Sequence, residues 1–358
     1  MASNDESQVT SAQRAFVFLA AAPEVPGLKF RGFEGDHDFP ELLQVIDGSK
    51  EVDGSDHTES LEDLRRSYQH LVNSEPATDM VLAEVAGKVI GYGRAWWRLE
   101  ADGAFVYGHF AFLLPEWRGT GIRRAMLRHN EARLREIAMG HPIDDPKAFE
   151  CWASERERDW VGLLESEGYA PVRYGFEMVR PSLDDVPEAP MPEGLEVKPV
   201  QPEHYARIWA AAREAFRDHW GFSEDEWADT HLASWQESPT FVPDYWQVAW
   251  EGDEIAGMVL NFIDRAENEE YHRQRGYTET ICVRRPWRRR GLARALIARS
   301  LRLHRGQGMT ETALGVDANN PNGALQLYAS MGYEVVNRQA SYRKPLDALL
   351  LDERTEST

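Results

Sequence analysis

The sequence predicts an α/β (α+β) protein made of two tandem domains of one kind, each with a mixed central sheet flanked by helices. Three observations lead to this fold class. The length of 358 residues suits two domains of about 100 to 200 residues each. A hydrophobic content of 42% with 11% aromatic residues is enough for folded cores. Finally, unrelated local motifs recur at a nearly constant offset, which indicates a duplicated domain.

The repeat sets the expected domain boundaries. Its landmarks lie 164 to 170 residues apart and pair Leu28 with Leu195, Gly91 with Gly257, Gly121 with Gly291, and Gly168 with Gly332. We expect an N-terminal tail and packing segment over 1–27, an N-terminal domain over 28–180 and a C-terminal domain over 195–346. A linker rich in proline and acidic residues (181–194) separates them, and 347–358 form a polar tail.

Within each domain the hydrophobic periodicity predicts the same order of elements. A first strand (28–33 or 195–200) leads into a helical stretch, a hairpin and a further strand. An amphipathic helix follows, over 122–138 in the first domain and 292–305 in the second. Another strand, a second helix (321–331 in the second domain) and a closing strand complete the unit. This order predicts that helices cover a mixed sheet.

Charge and cysteine content exclude several classes of function. With 40 basic and 60 acidic residues the net charge is −20, which repels nucleic acid and anionic membranes. The two cysteines, Cys151 and Cys282, have neither metal-site nor disulfide-framework spacing, so we expect no metal and a cytoplasmic location. The apolar segment Ala15 to Ala22 is too short to span a bilayer and is expected to pack on the first domain. With nucleic acid and membranes excluded, we expect a small-molecule partner. We expect the protein to be a monomer or homodimer.

The segment Val283 to Ala298 is the candidate ligand-binding element. Here a strand ends, Gly291 permits a tight turn and a helix begins, so backbone N–H groups and the positive helix end converge as an anion site. Nine arginines between 284 and 305 fit this interpretation, but they equally suit a solvated helix face balanced by acidic neighbours. The loop lacks both the GxGxxG pattern and a GKS or GKT end, which argues against dinucleotides and nucleoside triphosphates.

Two ordered motifs resemble one family. The run Arg288-Arg289-Arg290-Gly291-Leu292-Ala293 is similar to the R/Q-x-x-G-x-G/A loop of the GNAT acetyltransferase superfamily. The stretch from Asn320 through Ala324, Leu327 and Tyr328 to Gly332-Tyr333 resembles that superfamily's downstream segment. The tandem arrangement is similar to that of mycothiol synthase-like acetyltransferases. The resemblance implies acetyl-CoA as acyl donor and direct transfer of its acetyl group to a primary amine of a small molecule.

The resemblance also implies roles for individual residues. Tyr328 is expected to protonate the leaving thiolate, and Glu279 is the candidate base that deprotonates the amine. The structural alternatives are that Tyr328 is a core aromatic residue and that Glu279 is an exposed residue of a strand. The expected cofactor-binding residues are Ile281, Cys282, Val283, Arg288, Arg289, Arg290, Gly291, Leu292, Ala293, Arg294 and Asn320. Cys282 is expected to be a small buried apolar residue, and Asn320 also suits a helix N-cap before Pro321.

The N-terminal domain departs from this pattern at two positions. Arg123 stands where the C-terminal loop has Ala293, and Leu164 stands where the second domain has Tyr328. A long side chain in the loop obstructs the cofactor, and leucine cannot donate a proton. We therefore expect catalysis in the C-terminal domain and a degenerate N-terminal domain. The alternative function is a non-catalytic acyl-CoA-binding sensor or scaffold.

Overall fold

The computed structural model describes residues 16–20, 22–320 and 322–346. Pro321, Ala15 and Ala21, about which the sequence makes predictions, lie outside these ranges, as do most of the tail 1–27 and the tail 347–358. The described residues contain one 12-stranded sheet, in the order β1-β2-β3-β4-β5-β12-β6-β11-β10-β9-β8-β7. The strands are β1 (Leu28–Arg31), β2 (Met80–Val85), β3 (Lys88–Leu99), β4 (Phe105–Leu113), β5 (Lys147–Ser154), β6 (Ala170–Arg180), β7 (Glu196–Val197), β8 (Gln247–Glu251), β9 (Glu254–Phe262), β10 (Arg275–Val283), β11 (Glu311–Asp317) and β12 (Glu334–Pro345).

Helices cover the sheet in both halves of the chain. They are α1 (Phe39–Asp53), α2 (Leu61–Gln69), α3 (Pro76–Asp79), α4 (Ile122–Ala138), α5 (Arg158–Ser166), α6 (Tyr205–Phe216), α7 (Asp229–Gln236), α8 (Arg265–Glu270), α9 (Leu292–Gly306) and α10 (Ala324–Ser330). The strand pairs β4/β5 and β10/β11 are parallel, and the other neighbouring strands are antiparallel. The predicted mixed α/β architecture is therefore confirmed, and α4 has the bounds that the periodicity predicts.

The two halves exchange their closing strands. β12, from the C-terminal half, lies between β5 and β6 and pairs with both. β6, from the N-terminal half, pairs on its other side with β11, so that Glu177 lies opposite Gly315. The two repeats consequently share one continuous sheet, an arrangement that the order of elements within each repeat does not indicate.

Buried ion pairs secure the exchange. Arg343 of β12 donates to Glu150 of β5 at 2.8 Å and to Glu100 at 2.5 and 3.2 Å. Arg98 of β3 donates to the same two carboxylates at 2.6 and 2.9 Å. Each guanidinium therefore faces two carboxylates, which compensates for the desolvation of the cluster.

The segment between the halves packs against the C-terminal core. Leu183 is buried there, and Val186, Ala189 and Met191 contact the same cluster. Near the other end of the chain, Val17 N donates to Phe30 O at 2.8 Å, and Leu19 is buried in the N-terminal core. None of the helices in the described ranges is long and apolar enough to cross a membrane.

One predicted helix start is wrong. Asn320 does not cap the helix after it, because α10 begins at Ala324 with Gly323 in the left-handed conformation at its N-cap (φ 73°). Asn320 Oδ1 instead accepts a hydrogen bond from Asn322 N at 2.9 Å, which forms a side-chain turn ahead of the helix. Asparagine side chains readily accept a hydrogen bond from the backbone N–H two residues later, and Asn320 does so in this turn instead of at a helix terminus.

Candidate active site

The strands β10 and β11 separate along their length. They pair only between Arg275–Tyr277 and Glu311–Ala313. Beyond that point β10 shifts register against β9 between Glu279 and Cys282, and Thr280 takes a positive φ of 48°. The bulge turns the backbone of β10 away from β11. A cleft with main-chain hydrogen-bonding groups on its wall results.

A helix begins at the mouth of this cleft. Gly291 adopts φ 85° and ψ 2° at the N-cap of the 15-residue helix α9, and no side chain caps the helix. A Cβ atom built on Gly291 would have no neighbour within 4 Å, so the turn is open. The unsatisfied N–H groups of the first helical turn and the positive end of its dipole therefore remain available to an anion.

The cleft between these strands, which we call the strand cleft, encloses about 890 Å³. The structure brings nearly all of the predicted site residues to its wall. They are Glu279, Ile281, Cys282, Val283, Arg288, Arg289, Gly291, Leu292, Ala293, Arg294, Asn320 and Tyr328. Arg290 is the exception, because its guanidinium turns away to Glu251 at 3.2 Å and to the carbonyl of Glu193 at 3.0 Å.

Most of the arginines around the loop have protein partners. Arg288 donates to Val283 O at 3.0 Å and pairs with Asp218 at 3.0 Å, which ties the loop to the end of β10. Arg284 pairs with Glu214 at 2.8 Å. Arg289 is exposed at the cleft and, within the described part of the chain, has no ion pair. Acidic neighbours thus balance much of this cluster, while Arg289 stays available to a ligand.

A larger cavity joins the strand cleft. It encloses about 1000 Å³, and residues of both halves line it, so we call it the central cavity. The two spaces share five lining residues, which are His219, Glu279, Gly315, Val316 and Asp317. Ligands bound in the two spaces would meet at these residues.

Glu279 is half-buried at that junction. Its Oε1 accepts a hydrogen bond from Gly315 N at 3.1 Å. Burial, together with the nearby carboxylate of Glu177, raises the pKa of Glu279 to about 7. A carboxyl group with this pKa can exchange a proton at neutral pH.

Tyr328 lies on α10 with 6% of its surface exposed. Burial, reinforced by the Glu279 carboxyl, raises the pKa of Tyr328 above the usual range of a phenol, so the hydroxyl stays protonated. Cys282 is also buried, packs in an apolar core and has its thiol pKa raised to about 12 by burial. A protonated phenol can donate to a leaving thiolate, whereas this thiol is too weakly acidic to serve as a nucleophile.

Two residues that line the central cavity have no signal in the local sequence. His219 follows α6 in an irregular segment, and burial lowers its pKa, so its imidazole is neutral at pH 7. Glu177 reaches the cavity on the exchanged strand β6, opposite Gly315.

The corresponding groove of the N-terminal half is filled by its own side chains. Arg123 is buried, donates from Nε to Ala111 O at 2.6 Å and stacks over the ring of Trp160 at 4.2 Å. A Cβ atom on Gly121 would lie 3.5 Å from Pro23, which covers the turn equivalent to the open one at Gly291. Leu164, at the position of Tyr328, is fully buried in the core.

Comparison with known proteins agrees with this geometry. The sequence pattern of the acetyltransferase (GNAT) family matches residues 41–143 and 208–333. A mycothiol acetyltransferase from Streptomyces bingchenggensis is 26% identical over 321 residues, covering 85% of this chain and 92% of the relative. Another from Salinispora arenicola is 24% identical, covering 86% and 94%.

Solved structures show the same fold. A GCN5-related N-acetyltransferase from Sphaerobacter thermophilus superposes with a TM-score of 0.69 at 24% identity, over 90% of this chain and 96% of the other. A tandem GNAT protein from the clavulanic acid biosynthesis pathway superposes with a TM-score of 0.63 at 16% identity, over 89% and 98%.

Proposed function

Because the chain belongs to the GNAT acetyltransferase family and is therefore an acyltransferase, we propose that it transfers an acetyl group from acetyl-CoA to a primary amine of a small molecule, with the chemistry in the C-terminal half. The observation that carries this proposal is the junction of the two cavities. A cleft with an open helix N-terminus meets a separate cavity at one point, where Glu279 lies.

The strand cleft suits the acyl donor. The first turn of α9 after Gly291 offers main-chain donors to a diphosphate, and Arg289 adds a cation beside it. The separated backbone of β10 from Ile281 to Val283 can pair with an amide-containing arm and can donate an N–H to the thioester carbonyl. In the N-terminal half, Arg123 and Trp160 occupy the equivalent space, which supports a single donor site per chain.

The residues at the junction account for the proton transfers. The Glu279 carboxylate accepts a proton from the acceptor ammonium, and the freed amine attacks the thioester carbon. A carbon–nitrogen bond forms and the carbon–sulfur bond breaks. The Tyr328 hydroxyl then donates its proton to the departing thiolate. The acylated nitrogen loses its second proton, which restores the phenol by way of solvent, so the products are an amide and free CoA. Neither side chain forms a covalent intermediate in this scheme.

The N-terminal half suggests a substitution that tests the donor site. Ala293→Arg places in the C-terminal loop the residue that closes the N-terminal groove, so we expect it to abolish CoA binding in calorimetry. Ala329→Arg adds the same side chain at an exposed position of α10 outside both cavities and should bind CoA normally. Unchanged binding in the Ala293 variant would refute the placement.

Activity is tested by incubating the protein with acetyl-CoA and a panel of amines, and by following thiol release and the acetylated product by mass spectrometry. Product formation that requires Tyr328 and Glu279 supports the proposal. CoA binding without acetylation of any amine would favour the sensor or scaffold.

A further inference from the structure

His219 lies where the strand cleft and the central cavity meet, and it lines both spaces, as Glu279 does. Two tight turns fix its backbone. In them His219 N donates to Phe216 O at 2.8 Å, and Phe222 N donates to His219 O at 3.3 Å. The imidazole ring also packs on the ring of Phe216, with the centroids 4.4 Å apart. The histidine is therefore held at the point where ligands of the two spaces would meet.

The ring nitrogens of His219 are available to a ligand. The side chain is half-buried, and its nitrogens have no hydrogen bond or ion pair to any residue that the structure describes. The other described histidines of the central cavity differ. His109 is fully buried, and its Nε2 lies 2.7 Å from a tyrosine hydroxyl. His57 faces the carboxylates of Glu267 and Glu59 at 3.7 and 3.5 Å, which raise its pKa to about 10, so its ring is protonated at neutral pH.

The charged groups around His219 are paired with one another. Asp218, the preceding residue, binds Arg288 at 3.0 Å. Asp317 of β11 binds Arg173 of β6 at 2.8 Å. Because each carboxylate already faces a guanidinium, neither is left to stabilise a charged imidazole. Burial therefore lowers the pKa of His219, and the neutral ring has a nitrogen that can accept a proton at pH 7.

Acetyl transfer to a primary ammonium releases more protons than the Glu279 carboxylate can accept. The ammonium nitrogen carries three protons and the amide nitrogen keeps one, so two protons must leave the nitrogen. Glu279 takes the first proton before the attack and is then a neutral acid. The nitrogen of the tetrahedral adduct still bears a positive charge. Until it loses the second proton, the amine is a better leaving group than the thiolate, so this transfer needs a second base.

We propose that His219 is that second catalytic base and accepts the proton from the nitrogen of the tetrahedral adduct. The electrons of the broken N–H bond become the nitrogen lone pair, the carbonyl re-forms and the carbon–sulfur bond breaks. The imidazolium then passes its proton to solvent, from which the Tyr328 phenolate recovers one, and Glu279 also returns its proton to solvent. The reaction releases one proton in total. This inference rests on the proposed function and adds a residue to its mechanism.

The variant His219→Gln tests the second base. An amide can form a hydrogen bond at the junction but cannot accept a proton, so we expect kcat/KM to fall about 10²-fold for an amine that the wild type acetylates. CoA affinity in calorimetry should not change. His272→Gln is the control at an exposed histidine outside both spaces and should keep the wild-type rate. An unchanged rate in His219→Gln would overturn the inference.

The pH profile of kcat/KM separates the two bases. Glu279 owes its raised pKa to burial and to the Glu177 carboxylate, so the loss of His219 should leave that pKa in place. The variant His219→Gln should therefore be slower across the profile but keep the acid limb near pH 7, whereas Glu279→Gln removes the limb. Loss of the limb in His219→Gln would assign the first proton to the histidine and overturn this division of roles.

Chemical rescue separates proton transfer from a structural role. In His219→Ala, added imidazole should raise the rate at least about tenfold. The ring of 1,2,4-triazole has the same shape but is a far weaker base, so it should not restore activity. Rescue that is equal with both rings would show that the side chain only fills space and would overturn the inference. Thermal melting of each variant verifies that it folds.

The same measurements distinguish this inference from the proposed function. Acetylation of an amine by the wild type, with a normal rate in His219→Gln, would leave the proposed function in place and overturn the second base alone. A wild-type protein that acetylates no amine would overturn both.

Discussion

Replacing Glu279 with glutamine tests the proton acceptor directly. The amide oxygen of Glu279→Gln can still accept the 3.1 Å hydrogen bond from Gly315 N, so the local backbone should stay in place. The amide cannot accept a proton from an ammonium group. We expect kcat/KM to fall by about 10²- to 10⁴-fold, the usual contribution of a general base. Steady-state thiol release with a good acceptor measures it.

The pH dependence of kcat/KM is a second test of Glu279 as the base. The pKa of Glu279 is raised to about 7, so at pH 6 about 9% of the groups are ionised and at pH 8 about 91%. Because the carboxylate is the active form, wild-type kcat/KM should fall about tenfold as the pH drops from 8 to 6, after correction for ionisation of the acceptor. The glutamine variant should lack this limb.

Glu177→Gln is the variant matched to Glu279→Gln. Its carboxylate is a like charge that raises the pKa of Glu279. Glu177→Gln removes that charge, so the acid limb of the profile should move to lower pH. A Glu279→Gln variant that retains both the rate and the limb near pH 7 would refute the assignment of this residue as the base. An unmoved limb in Glu177→Gln would show that the two carboxyl groups do not interact.

Three further predictions concern the acid and the packing. Tyr328→Phe should lower kcat on the order of 10²-fold, measured by single-turnover kinetics, with CoA affinity retained; an unchanged rate would exclude the phenol as acid. Arg343→Met leaves Glu100 and Glu150 undercompensated and should cost about 3 to 5 kcal/mol in urea unfolding, whereas the exposed Arg338→Met should cost little. Tyr333→Phe removes a hydroxyl that bonds Thr278 at 2.8 Å and Thr312 at 2.9 Å and should cost about 1 to 3 kcal/mol; a loss below about 0.5 kcal/mol would contradict the buried network.

The sequence predicts those parts of the fold that depend on local periodicity. Helix α4 has the predicted bounds, and the hairpins β2/β3 and β8/β9 take the expected place in the order of elements. The strand exchange was not predictable from the same signals. β6 and β12 are the closing strands of two repeats, so pairing within a repeat or between repeats satisfies the same hydrophobic pattern. Tertiary packing decides between them.

The residues of the candidate site also fall into two groups, those that short motifs predict and those that they do not. The loop around Gly291 and the position of Tyr328 follow from short motifs, since one turn and one helix place them. Glu177 and His219 reach the central cavity from distant segments, and nothing in their neighbouring residues marks them. For Asn320, the strong capping preference of asparagine suggested a helix terminus, but the left-handed Gly323 takes that position.

The exchange of β6 and β12 also constrains how the protein is made. As the chain leaves the ribosome, β5 emerges long before its partner β12, because about half of the sequence separates them. Until β12 arrives, the first half carries the hydrogen-bonding edge of β5 without the partner that it has in the folded protein. Biosynthesis must therefore delay completion of the first-made half until the final strand is available.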